Sequence, residues 1–106
     1  MNIYHIHQDV NDGCDTFSDA VVCAKDEEDA KRIHPYLKIF PDIWYDEEKK
    51  VWMRKYSGGD SKGEPYVFEK YGNTWTTNMP NIKVVLIGTA KKGIKRGVIC
   101  ASFHAG

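Results

Sequence analysis

Apolar and polar positions alternate from Asn2 to Gln8, with Tyr4, Ile6 and Gln8 on one side and Ile3, His5 and His7 on the other. A period of two predicts a β-strand with one more apolar face. Asp9 to Asp15 then gathers Asn, Asp and Gly, residues that accept turn geometry and bond their own backbone, so a loop is expected. Phe17 to Ala24 contains the run Ala20-Val21-Val22-Cys23-Ala24, suited to a largely buried strand that pairs with the first as a hairpin.

From Asp26 the pattern becomes helical. Asp26 fits an N-cap, Glu27, Glu28 and Asp29 favour the positive end of a helix, and Ala30 and Ile33 offer a buried face. The helix must stop near His34, because Pro35 disfavours helical geometry in the residue before it.

Residues 36–81 carry aromatic groups separated by charged turns. Asp46-Glu47-Glu48-Lys49-Lys50 is expected to join two short strands, and Ser57 to Gly63 reads as a mobile tip. Gly72-Asn73 is a candidate turn between two more. Ile82–Ala90 and Val98–Phe103 are β-rich runs on either side of Lys91–Gly97, which predicts a terminal hairpin. The fold class expected is α+β: a small, mostly antiparallel sheet with one short helix at about 26–34 and additional hairpins.

A chain of 106 residues is large enough for one hydrophobic core and too small for two, so a single domain over 1–106 is expected. With 15 Lys+Arg against 15 Asp+Glu the formal net charge is zero, which argues against broad electrostatic capture of long nucleic acid or an acidic membrane surface. Apolar runs such as Val84–Ile87 fall far short of the roughly 20 residues of a membrane span. The N-terminus has neither the basic region nor the long apolar run of a signal peptide, so a cytosolic location is expected. Cys14, Cys23 and Cys100 show no C-x-x-C spacing and read as reduced thiols.

His5 and His7 share a strand face and offer two imidazoles, but no local spacing supplies the further ligands that zinc requires. No nucleophile motif or suggestive carboxylate pair is present, so a non-enzymatic binding protein without a cofactor is expected. Lys91 to Gly97 places four cations and two glycines between strands. Flexible backbone there can aim amides at a phosphate, with Lys91, Lys92, Lys95 and Arg96 around Gly93 and Gly97. A merely solvated turn is the alternative. Trp44, Trp52 and Trp75 are candidates to stack on a nucleobase, with core packing the alternative for each. Asp12 and Asp15 are candidates for ribose hydroxyls or a base edge, or belong to an ordinary Asx-rich turn.

Cys14-Asp15-Thr16-Phe17-Ser18-Asp19-Ala20-Val21-Val22-Cys23-Ala24, continuing to Arg32-Ile33-His34-Pro35, resembles a group of short, uncharacterised bacterial and phage proteins with a pattern close to Y-D-T-Y-D-x-A-V-V-x-A. Ile82–Ala90 and the ending Gly97–Gly106, like G-V-x-x-A-S-F-x-A-G, are similar to the same group, and together these pieces cover about half the chain. Cys14 and Phe17 stand where the usual pattern has tyrosine.

The resemblance implies a phage anti-defence setting in the host cytosol. Some small phage proteins of this type resemble molecular sponges that hold a cyclic-nucleotide or NAD-derived immune signal without cleaving it. Such tight capture favours a closed pocket, which pairing of protomers in a homo-oligomer would supply. The rival expectation is a protein-binding inhibitor of a host nuclease or other defence effector, with exposed aromatics as anchors.

Overall fold

In the computed structural model, which describes residues 1–9, 16–38, 42–55, 63–65 and 75–104, the alternation at the N-terminus becomes strand β1 (Asn2–His7). Tyr4, Ile6 and the following Gln8 are buried, while Ile3, His5 and His7 lie half-exposed on the other face. β2 (Thr16–Ala24) pairs antiparallel with it, Tyr4 opposite Val22 and Ile6 opposite Ala20. The hairpin expected from the sequence is therefore present, and its inward residues are the first layer of the core.

The chain leaves β2 through Lys25 into helix α1 (Glu27–Lys31). Asp26 caps it, its Oδ1 accepting from Asp29 N at 2.8 Å. The helix ends sooner than position 34: the chain has already left helical geometry by Arg32, and Ile33 and His34 turn into the core. Pro35–Lys38 then forms a 3-10 turn, held by Leu37 N donating to His34 O at 2.9 Å. Ala30 is the buried residue of α1, which packs against β1, β2 and the later strand at Lys83–Thr89.

β3 (Ile43–Asp46) and β4 (Val51–Arg54) form the short hairpin predicted around the 46–50 turn, and β5 (Glu64–Pro65) adds to β4. Asp46 builds the turn by itself. Its Oδ1 accepts from Glu48 N and Lys49 N at 3.0 and 2.9 Å, and its carbonyl accepts from Lys50 N at 2.8 Å, with Lys50 in the left-handed region at φ 55°.

The C-terminal quarter corrects one expectation. β6 (Lys83–Thr89) and β7 (Gly97–His104) do not pair with each other; the strand order is β6-β1-β2-β7, each flanking the central hairpin antiparallel. The physical reason is that β1 and β2 each have a second backbone edge to satisfy, and β6 and β7 supply the two extra partners. The seven residues 90–96 cross the end of the hairpin. Three strand spacings amount to about 14 Å, and seven extended residues reach roughly 23 Å, so the crossing needs no strain. Ala90 N donates to Met1 O at 2.9 Å, fixing where it begins.

Both sheets and the helix contribute to a single buried cluster that includes Tyr4, Ile6, Phe17, Val22, Ile33, Ile43, Trp52, Trp75 and Ile82. The architecture is a pair of small antiparallel sheets with little helix. Among the described residues no helix is long and apolar enough to cross a membrane.

Candidate functional site

The crossing segment carries the cations singled out by sequence. Lys91, Lys92, Lys95 and Arg96 are all exposed, and Gly93 and Gly97 hold φ of +96° and +150°, backbone that L side chains rarely adopt. Arg96 has a partner: its Nε donates to both carboxylate oxygens of Asp29, at 2.9 and 3.1 Å, docking the segment onto α1. Cys23, buried on β2, lies under the same segment with its Sγ 3.9 Å from Ile94 O. The three lysines take no ion pair among the described residues, so they remain open to an anion, while Arg96 is already committed to a carboxylate.

The three tryptophans separate. Trp52 is 2 % exposed and Trp75 0 %, so neither can stack on a base, and their assignment to a ligand is corrected. Both fill the core, where an indole contributes more by burial than any other side chain. Trp52 Nε1 donates to Thr76 O at 2.9 Å and its ring meets His34 and Tyr45 edge-on at 5.0 and 5.1 Å. Trp44 is half-buried, its ring lying so close to Gly63 that a side chain there would collide with it. The structure therefore does not assemble the lysine segment and the tryptophans into one site. Asp12 and Asp15 lie outside the described residues.

A concave site of about 500 Å³ opens elsewhere, between the end of α1, the β3–β4 hairpin and the segment leading to a 3-10 turn at Met79–Asn81. Arg32, Tyr45, Lys50, Asn78 and Met79 are among its walls. Tyr45 Oη donates to Thr77 O at 3.0 Å, tying β3 to the opposite wall. Burial, and then the neighbouring Glu47, raise the Tyr45 phenol above its usual range, so the hydroxyl stays a donor. Arg32 is held by Glu28, at 2.9 Å, and by Glu47, which fixes the guanidinium at the cleft wall but neutralises much of its charge. Lys50, on left-handed backbone, is exposed at the cleft.

The wall opposite Tyr45 depends on Gln8. This buried amide donates from Nε2 to Phe17 O at 3.0 Å and accepts at Oε1 from Thr76 N at 2.8 Å, so the segment 75–78 is pinned to the first sheet. Thr76 Oγ1 in turn accepts from Asn78 N at 3.1 Å. Sequence patterning marks none of Arg32, Tyr45, Lys50 and Asn78 as a site residue. The one signal it offers is the charged 46–50 turn, which contains Lys50 and Glu47.

On the outer face of the four-stranded sheet His5 bonds Asp19 Oδ2 at 2.8 Å and stacks on His7 at 5.4 Å between ring centres. His5 first, then Ser18, hold the Asp19 carboxyl below its ordinary value against the opposing effect of burial. Among the described residues no three His, Cys, Asp or Glu side chains converge on a point suitable for a metal ion. Cys23 and Cys100 are free thiols, the first buried and the second exposed.

Comparison with protein-family models, with curated proteins and with solved structures found no match for this chain.

Proposed function

We propose that this protein is a sequestering binder that holds a small anionic signal, of the cyclic-nucleotide or NAD-derived class, in the Tyr45 cleft and releases it chemically unchanged. The observation that carries the reading is the cleft itself. Its volume of about 500 Å³ falls within the roughly 300–1,000 Å³ usual for small-molecule sites. Its walls offer an aromatic ring, an exposed lysine and an amide at Asn78, groups suited to base, phosphate and ribose, beside an Arg32 guanidinium already paired with Glu28 and Glu47. The resemblance of residues 14–24, 82–90 and 97–106 to short phage and bacterial proteins supports an anti-defence setting, in the host cytosol, for an α+β domain of this size.

The test is a thermal-shift screen against cyclic dinucleotides, cyclic oligonucleotides and cyclic ADP-ribose isomers. A ligand at 100 times its dissociation constant adds about 2.7 kcal/mol, a shift on the order of 10 °C for a domain of this size. Heating the complex should return intact ligand. Lys50→Ala should weaken capture, and a Lys91→Ala/Lys92→Ala/Lys95→Ala variant separates the cleft from the crossing segment as the phosphate site. No shift with any of these ligands would remove the reading.

A second reading, a protein-binding inhibitor, is favoured by one separate observation: Val85, Leu86 and Ile87 are 53, 55 and 56 % exposed in succession on β6, an edge strand. Exposed aliphatic side chains beside backbone groups that, among the described residues, pair with no further strand suit a protein partner that adds one.

A further inference from the structure

We propose that the partner of the β6 edge is a second copy of this chain, so that two four-stranded sheets join across a two-fold axis into one of eight strands. This rests on reading β6 as a protein contact, and names the protein.

The backbone of an edge strand presents a row of N–H and C=O groups that solvent otherwise satisfies and that another strand can pair in register. Protected edges carry inward charges, prolines or several lysines. β6 reads Lys83-Val84-Val85-Leu86-Ile87-Gly88-Thr89, with one charge at its first position and no proline. A bulge where Ile3 and Tyr4 face Gly88 and Leu86 leaves Ile87 unpaired, so the regular pairing stretch is Lys83–Leu86.

That stretch is self-complementary. Antiparallel pairing about an axis perpendicular to the sheet and centred on Val85 sets Val84 against Leu86 of the other copy. It also sets the aliphatic stem of Lys83 beside Ile87 and holds the two lysine charges at opposite ends. Leu86 occupies a core-facing position, opposite Tyr4, yet remains more than half exposed, because the core reaches β6 at Val84 but not at Leu86. A second copy completes that layer. The net charge of zero means that two copies approach without overall repulsion.

Both edge strands have a helical neighbour, but β7 is in more extensive contact with the 3-10 turn at Pro35–Lys38 than β6 is with α1, which leaves β6 the more open edge. Pairing β6 with β7 would in addition be head-to-tail and open-ended, whereas β6 on β6 closes after two copies.

Sedimentation equilibrium of the purified full chain is the test. We expect 24.2 kDa, twice the 12.1 kDa of one chain. Leu86→Lys should give a folded monomer, while Ile99→Lys, on the β7 edge, should remain a dimer. Amide exchange of the unsubstituted protein gives a readout independent of any variant: β6 amides should gain protection as concentration rises through the dimerisation range. A wild-type chain monomeric up to millimolar concentration, or a dimer lost in Ile99→Lys but kept in Leu86→Lys, overturns the proposal. Either result leaves the protein-contact reading to its own assay, in which Leu86→Lys is scored for loss of effector binding.

Discussion

The side-chain carbonyl of Gln8 accepts the backbone N–H of Thr76 at 2.8 Å, across 68 positions of sequence, while the Thr76 carbonyl accepts from Trp52 Nε1 at 2.9 Å. Both backbone groups of one buried residue are thus satisfied by side chains, one from the first sheet and one from the second. The wall of the cleft stands where these two bonds put it.

Gln8→Leu keeps the volume nearly constant but leaves Thr76 N–H and Phe17 C=O without this partner in the interior. The stranded Thr76 N–H costs about 1–3 kcal/mol, so a loss of that size is expected in urea denaturation. A change below about 0.5 kcal/mol, less than one net hydrogen bond contributes, would show that the amide does not organise this segment. Ligand affinity at the Tyr45 cleft should fall with it.

Trp52→Phe and Trp75→Phe remove the same atoms with different consequences. Trp52 loses a hydrogen bond and strands a buried carbonyl, whereas the Trp75 indole N–H is buried and meets no acceptor among the described residues. Trp52→Phe should therefore be the more destabilising by about 1–2 kcal/mol, read from paired denaturation curves.

Burial alone lowers the His34 imidazole from 6.5 to about 3, and its Nδ1 accepts from Tyr36 N at 3.0 Å, so the neutral ring carries its proton on Nε2. The folded value lies below the unfolded one. The associated stability is complete above pH 6.5 and is lost as pH falls from there toward 3, because the unfolded chain binds a proton that the folded chain refuses. The slope approaches about 1.4 kcal/mol per pH unit in that window. Denaturation midpoints compared from neutral pH down into that window should show it. In His34→Gln, which retains an acceptor, most of the slope should vanish.

Two residues of the crossing segment divide its stability differently. Arg96 pairs with Asp29 at the surface, so Arg96→Ala should cost less than about 1 kcal/mol. Gly93 sits at φ +96°, and a methyl group added there would have nothing within 4 Å, so Gly93→Ala meets no clash and its cost is purely backbone, about 1–2 kcal/mol. Thermal melts of the two variants should rank in that order.

What the sequence disclosed was local. The alternation from Asn2 to Gln8, the apolar run ending at Ala24, the Asp26 cap and the Asp46 turn each depend on residues within a few positions of one another. What it concealed was pairing at a distance. β6 and β7 are adjacent in sequence and equally apolar, and nothing in either indicates that each prefers an edge of the first hairpin. Aromatic content likewise does not distinguish an inward indole such as Trp75 from a half-exposed one such as Trp44. The cleft draws Arg32, Tyr45, Lys50 and Asn78 from separate segments with no common spacing, so it emerges only after the two sheets have met.

The route of residues 90–96 from one edge of the sheet to the other sets an order of assembly. Neither β6 nor β7 pairs with a strand adjacent to it in sequence, so each must wait for β1 and β2 and then close a loop back over most of the chain. Contacts of such long range slow folding, since chain entropy is lost before any pairing is gained. On a ribosome the first hairpin would emerge with both edges open; β6 can cover the β1 edge first, and the β2 edge stays open until the eight-residue β7 has been made.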